Sequence, residues 1–132
     1  MAVNRTDAGM QQLINMFGDC TKIKKLWQNA SPTSVFTPQK ISLDLDGYTH
    51  VLVLYYCAVP VANGLGSVIA PVGSYGYCNI ATSINRYRVF QVLTTGVNFN
   101  KVSKWTYYNQ GADDDDGPWL IPYIIYGVKG VR

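Results

Sequence analysis

The alternation of apolar and polar residues between positions 26 and 56 constrains the fold of this chain more than any other part of its sequence. Every second residue is apolar from Ile41 to Leu45, which predicts a pleated strand with one apolar face and one face in water. The Asp-Gly pair at 46–47 then predicts a reversal of the chain. From Val51 to Cys57 the apolar residues become continuous, which is typical of a strand covered on both faces, by a second sheet and by a partner subunit.

Strand-like segments recur along the chain at the spacing of hairpins, as in a β-sandwich or a barrel. The predicted strands are Lys22–Gln28, Gln39–Leu45, Thr49–Val59, Ser67–Ile69, Tyr77–Ile84, Tyr87–Leu93, Val97–Tyr108 and Trp119–Tyr126. Glycine-rich loops separate them, and the loop Pro71–Gly76 is expected to place Tyr75 in an exposed bend. We predict an all-β domain over residues 21–132, an antiparallel β-sandwich or jelly-roll-like domain with about eight strands.

The first 20 residues follow a different pattern. Four apolar residues recur there at helical spacing: Met10, Leu13, Ile14 and Phe17. We predict one short amphipathic helix within residues 1–20. Because so short a helix is unstable alone in water, it must dock on its own sheet or on a neighbouring subunit.

The composition indicates one domain that associates with other copies. The chain has 132 residues, of which 48% are hydrophobic and 14% charged, and this leaves more apolar surface than a monomer needs. The net charge is +3, with basic residues grouped at Lys22–Lys25 and at Arg86 and Arg88. Lysines at strand edges prevent unwanted pairing, and this explains the basic groups as well as nucleic-acid binding would. The sequence contains no nucleic-acid-binding motif. We therefore expect no nucleic-acid partner.

The cysteines and the apolar runs indicate where the protein is made. Cys20, Cys57 and Cys78 have no CxxC spacing, which favours buried free thiols. The sequence begins without a signal-peptide profile, and the longest apolar run, Val51–Ala62, is too short to span a bilayer. We expect assembly in a reducing cytoplasm and no membrane insertion.

No combination of residues predicts catalysis. The single histidine, His50, has no serine or cysteine in nucleophile context beside it, so no triad is assembled. Asp44 and Asp46 are too close and too exposed for the acid and base of a glycosidase. We expect no enzymatic activity and no cofactor.

Two groups of residues are candidates for binding. Four adjacent aspartates, Asp113–Asp116, predict an acidic hairpin tip that could hold calcium or contact a receptor. The run lacks the spacing of an EF-hand. A solvated acidic loop is the alternative that needs no ligand. Tyr75, Tyr77, Tyr107 and Tyr108 lie at or near loop ends, where tyrosine rings can stack on a sugar. Cross-strand aromatic packing is the alternative for these tyrosines.

Two segments resemble a known family. LWQN at residues 26–29 leads through Ser31-Pro32 into QKISLDL at 39–45, and IPYIIYGVK occupies 121–129. Together they resemble the small β-domain of minor tail and tail-fibre proteins of bacteriophages and prophages, where such an opening and ending frame a variable middle. The resemblance covers most of the chain from Leu26 but is specific only at these two ends. It therefore implies architecture and virion context, and no catalytic residue.

The resemblance implies a structural protein of the virion, in a tail fibre, tail tip or head fibre, that forms a homotrimer and contacts other virion proteins. Its loops would attach to host-surface polysaccharide or protein. The residues expected to make this contact are Tyr75, Tyr77, Trp105, Tyr107, Asp113, Asp114, Asp115 and Asp116, the four aspartates also being the candidate calcium ligands. The alternatives are a capsid decoration or tail adaptor protein with a purely structural role, and a hydrolase of cell-wall polysaccharide.

Overall fold

The computed structural model describes residues 22–58, 64–81, 85–105, 113–114 and 117–130. Within these ranges the chain forms β-strands and no helix, which confirms the all-β prediction. The strands are β1 (Lys22–Gln28), β2 (Gln39–Ser42), β3 (His50–Ala58), β4 (Leu65–Pro71), β5 (Tyr75–Ala81), β6 (Asn85–Leu93), β7 (Gly96–Trp105), β8 (Asp113–Asp114) and β9 (Trp119–Lys129). The helix predicted within residues 1–20 lies outside the described residues.

The strands form two antiparallel sheets with the main core between them. Sheet A has the order β1-β9-β3-β4, and sheet B has the order β2-β7-β6-β5 with β8 paired to β7. Val51 and Val53 of sheet A pack in one buried cluster with Phe90, Val92 and Phe99 of sheet B. The architecture is therefore β-sandwich-like.

The alternating segment folds with the predicted faces. Ile41, Leu43 and Leu45 pack on the core, and Leu45 is 1% exposed, whereas the polar residues between them are exposed. The predicted turn is present, with Gly47 at φ 84° and the Tyr48 amide donating to Leu45 O over 3.0 Å. It does not close a hairpin, because β2 pairs with β7 while β3 pairs with β4 and β9. The turn carries the chain from sheet B to sheet A.

The predicted loop Pro71–Gly76 is shorter than expected. The turn is confined to residues 72–74, where Gly73 has φ 91° and the Ser74 amide donates to Pro71 O over 3.2 Å. Tyr75 and Gly76 already belong to β5. Gly76 faces inward, and a Cβ there would lie 2.5 Å from Cζ of Phe90. The glycine therefore permits close packing inside a strand, a role that its sequence context did not distinguish from a turn.

Candidate ligand-binding face

The face of sheet B that points away from the core combines tyrosine rings with amide side chains. Burial alternates along β6, where Arg88, Phe90 and Val92 are buried and the residues between them are partly exposed. Along β5, Tyr75 and Tyr77 are 63% and 61% exposed. We define the tyrosine–amide face by the outward residues Tyr75, Tyr77, Asn79, Asn85, Tyr87, Gln91 and Asn98.

The strand register arranges these residues in rows. One row across the strands contains Tyr75, Gln91, Asn98 and Lys40, and another contains Asn79, Tyr87, Ser103 and Asp114. Residues directly opposite one another in a sheet have Cβ atoms about 4.5–5.5 Å apart. Each row therefore places a tyrosine ring beside an amide group, and Tyr77 lies between the two rows.

A shallow cleft crosses this face. It has a volume of about 260 Å³ and is lined by Tyr77, Asn79, Asn85, Tyr87 and Val89. Enclosed small-molecule pockets typically measure about 300–1,000 Å³, so this cleft suits a small unit of a ligand that lies across the sheet. It contains two phenol rings, an apolar side chain and two amides that can both donate and accept hydrogen bonds.

One polar atom in the cleft has no hydrogen-bond partner in the part of the chain that the structure describes. Oδ1 of Asn85 is buried and accepts no hydrogen bond from any residue that the structure describes. A buried acceptor without a donor costs about 1–3 kcal/mol. A hydroxyl donor on a ligand in the cleft would remove this cost.

Tyr55 supports the face from the opposite sheet. Its hydroxyl donates to Asn79 O over 3.3 Å and accepts from the Asn79 amide over 3.4 Å. Burial is the main reason why the pKa of Tyr55 is raised. Because β5 is the edge strand of sheet B, this hydroxyl satisfies peptide groups that have no neighbouring strand, and it fixes the strand that carries Tyr75 and Tyr77.

Arg88 supports the face from within the core, under Tyr87 and Val89. The side chain is 1% exposed, and burial lowers its pKa to about 10. Its donors reach backbone carbonyls of other segments: Leu120 O at 3.0 Å, Asn100 O at 2.7 Å, Phe36 O at 3.2 Å and Trp119 O at 3.4 Å. Arg88 thus connects β6 to β7, to β9 and to the segment before β2.

The sequence pattern groups Arg88 with Arg86 as a basic pair, and the structure corrects this interpretation for Arg88. The sequence pattern that indicates burial of Arg88 is the alternation along β6. Arg88, Phe90 and Val92 are two residues apart and therefore face the same side of the strand. The same alternation would have identified Tyr87 and Gln91 as outward residues beside the selected tyrosines.

The structure places the predicted site residues as follows. Tyr75 and Tyr77 are exposed, as expected. Tyr77 lies in a strand, as predicted, whereas Tyr75 begins β5 and does not lie in a bend. Trp105 ends β7 at the register position opposite Asn85. Asp113 and Asp114 form β8, paired with Lys104 and Ser103, so this half of the acidic run lies in a strand and not at a hairpin tip. Tyr107, Tyr108, Asp115 and Asp116 lie outside the described residues.

The other residues considered in the sequence analysis, among them Asp44, Asp46, Cys57 and Cys78, are explained by their immediate surroundings. Oδ1 of Asp44 accepts from the Asp46 amide over 3.1 Å, which stabilises the turn. Cys57 and Cys78 are free thiols, and Cys78 is buried, as predicted. Among the described residues, no group of three histidine, cysteine or acidic side chains could hold a metal ion. In that same part of the chain, no helix has the length and apolar character needed to cross a membrane.

Comparison with known proteins adds no assignment: no family model, no curated protein and no solved structure matches this chain. Function is therefore inferred from the tyrosine–amide face and its surroundings.

Proposed function

We propose that this chain is a non-enzymatic attachment protein of a bacteriophage virion, and that its tyrosine–amide face binds polysaccharide on the host surface. The observation that carries the proposal is the arrangement of exposed tyrosines and amides in rows on one sheet face. A rigid aromatic ring can cover the apolar face of a sugar, and adjacent amides can pair with its hydroxyls. A flat face with a shallow cleft suits an extended polymer better than a small buried ligand.

The virion context is supported by the resemblance at the two ends of the chain. Residues 26–29 lie at the end of β1 and beyond it, and residues 121–129 lie in β9, where Trp27 is paired with Ile125. These two parts of the resemblance lie side by side in sheet A, whereas its third part, residues 39–45, begins as β2 of sheet B, the sheet that carries the tyrosine–amide face. The first and last strands pair, as do β2 and β7, a nesting that also suits a jelly-roll-like domain.

A homotrimer within a fibre or tail tip would strengthen attachment. A shallow cleft supplies few contacts per copy, so we expect weak binding at each site. Several copies on one particle act at a high effective concentration, which raises the overall avidity without new contacts. We propose other virion proteins as the remaining partners.

The test measures binding of the intact protein to purified bacterial surface polysaccharides immobilised on a sensor. Tyr77→Ala and Asn85→Ala are each expected to weaken binding about tenfold, which corresponds to about 1.4 kcal/mol. Tyr123→Ala is the matched control, because Tyr123 is a partly exposed tyrosine on β9 of sheet A. Equal binding by the wild type and both cleft variants would contradict the proposal, as would release of reducing sugars from the polysaccharide.

A purely structural role as a capsid decoration or tail adaptor is the second candidate. The observation that favours it is the apolar character of the outer face of sheet A, which includes Leu52, Leu54 and Ile69. The two candidates differ in the behaviour of particles that carry Tyr77→Ala. Attachment predicts particles that assemble but adsorb poorly, whereas a structural role predicts particles that adsorb normally once they have assembled.

A further inference from the structure

The cleft on the tyrosine–amide face has an apolar end and a polar end. Tyr77 and Val89 lie directly opposite each other in the β5–β6 register, and Asn79 and Tyr87 form the next outward pair. Asn85 lies two residues from Tyr87 along β6 and therefore points to the same side. The lining thus changes from apolar at Val89 to amide at Asn85 over about 13 Å of strand.

The apolar end is a small hydrophobic patch between two phenol rings. Val89 is partly exposed, and it is the only aliphatic residue among the described residues that line the cleft. Tyr77 flanks it across the strand pair and Tyr87 flanks it along its own strand. A sugar hydroxyl placed against Val89 would lose its water without gaining a partner. A methyl group placed there would gain burial, so the patch favours an apolar substituent.

An amide side chain lies beside this patch. Asn79 is exposed and is diagonal to Val89 in the register, and diagonal neighbours are about 7–8 Å apart. Its side chain can donate a hydrogen bond to a carbonyl and accept one from an N–H group. An acetamido group carries a methyl, an N–H and a C=O within one short substituent. The patch and the neighbouring amide therefore match both parts of such a group.

The lining of the cleft also favours a neutral substituent. No charged side chain is among the described residues that line it. Arg88 on the same strand is buried on the opposite side, and the guanidinium of Arg86 lies 3.8 Å from the centroid of the Trp119 ring. A carboxylate or an ammonium group in the cleft would lose hydration without gaining an opposite charge.

We propose that the cleft selects an N-acetylated amino sugar within the host polysaccharide. This inference rests on the proposed function and adds the substituent that the face recognises. The acetamido methyl packs on Val89 between the rings of Tyr77 and Tyr87, and Asn79 pairs with the acetamido amide. A hydroxyl of the same sugar pairs with Asn85, whose Oδ1 has no hydrogen-bond partner among the described residues.

The test compares three tetrasaccharides that have the same glycosidic linkage and differ only in the substituent beside the anomeric carbon. Chitotetraose carries acetamido groups, cellotetraose carries hydroxyls, and the chitosan tetramer carries amino groups. Each is titrated into the isotopically labelled full chain, and the NMR signals of the Tyr77, Asn79 and Val89 amides report occupancy of the cleft. Chitotetraose is expected to bind about tenfold more tightly than the other two, since it buries a methyl group and adds an amide hydrogen bond. Equal or weaker binding of chitotetraose, or signal changes confined to residues outside the cleft, would overturn the proposal.

A conservative variant tests the apolar contact. Val89→Thr replaces one methyl group by a hydroxyl and keeps the β-branched shape that suits a strand. It is expected to reduce the preference for chitotetraose over cellotetraose to about threefold or less. Val35→Thr makes the same change at an exposed valine outside the cleft and should leave the preference unchanged. An unchanged preference in Val89→Thr, or an equal loss in both variants, would overturn the proposal.

Failure of this inference can be told apart from failure of the proposed function. Binding to bacterial polysaccharide that depends on Tyr77, without a preference for chitotetraose, would overturn the acetamido assignment and leave the proposed function in place. Absence of binding both to the purified polysaccharides and to chitotetraose would overturn both.

Discussion

Replacing Gly66 by alanine tests the contact that supports the tyrosine–amide face from the opposite sheet. Gly66 is paired with Tyr55 between β4 and β3, and a Cβ at position 66 would overlap the Tyr55 ring. The ring is 5% exposed and its hydroxyl is hydrogen-bonded to Asn79. An alanine at position 66 must therefore displace the ring and break its bonds to the edge strand.

The expected loss of stability follows from three contributions. Overpacking of a core costs about 1–3 kcal/mol, and loss of the long hydrogen bonds to Asn79 adds about 0.5–1 kcal/mol. Alanine recovers about 0.5–1 kcal/mol, because glycine loses more conformational freedom on folding. We expect Gly66→Ala to lower the free energy of unfolding by about 1–3 kcal/mol, or the urea midpoint by roughly 1 M.

The assay is urea unfolding followed by tryptophan fluorescence, with Gly64→Ala as the matched control. A Cβ at Gly64 would meet no atom within 4 Å, and this glycine has no positive φ, so its replacement should change stability by less than about 0.5 kcal/mol. In a Tyr55→Leu background the overlap disappears, and Gly66→Ala should cost less than about 0.5 kcal/mol there. An equal cost in both backgrounds would refute the proposed contact. Gly66→Ala should also weaken polysaccharide binding, because Asn79 lines the cleft.

Two further predictions concern buried groups beneath the face. Burial raises the pKa of the Cys78 thiol above its ordinary value of 9.0, so above pH 9 the unfolded chain loses a proton that the native chain keeps, and stability should fall by up to about 1.4 kcal/mol per pH unit. Urea titrations at pH 8–10 should show that Cys78→Ala makes this slope shallower without abolishing it, because burial also raises the pKa of Cys57. Equal slopes in both proteins would contradict the assignment. Arg88→Met should lower stability by about 2–4 kcal/mol, because carbonyls such as Leu120 O and Asn100 O lose their donor, while relief of the buried charge returns part of the cost. Lys24→Met removes the same charge at an exposed position and should stay within about 0.5 kcal/mol of the wild type in the same unfolding assay. An equally small effect of Arg88→Met would be inconsistent with its role in connecting β6 to β7 and β9.

Local pattern was sufficient to predict most strands and the inward or outward direction of their residues. The Ile41–Leu45 alternation, the turn at Gly47 and the bounds of β1 agree with the structure, because the pleat has a period of two and glycine accommodates the positive φ of a turn. The strand β5 begins earlier than predicted, since Gly76 marks close packing against Phe90 and not a turn. Local pattern does not distinguish these two uses of glycine.

The candidate site was predicted in part. Tyr75 and Tyr77 were selected as exposed tyrosines, and their exposure is confirmed. Asn79, Asn85 and Gln91 were not selected, because isolated amides in strands carry no signal until a neighbouring strand aligns them with aromatic rings. The register of β5 with β6 provides that alignment.

The sequence by itself determined that this chain is a β protein and which residues of most strands face inward, because both depend on periodicity over a few positions. Only the tertiary structure decided which strands pair. The Asp-Gly turn places β2 and β3 in different sheets, and β2 finds its partner in β7, far along the chain. The rows of the tyrosine–amide face come from the pairing of β5 with β6 and of β6 with β7, and the β2–β7 pairing extends one of these rows to Lys40. Packing of the two sheets brings carbonyls of β9 to Arg88, beside a carbonyl of the neighbouring strand β7, so a residue that is charged in sequence becomes part of the core.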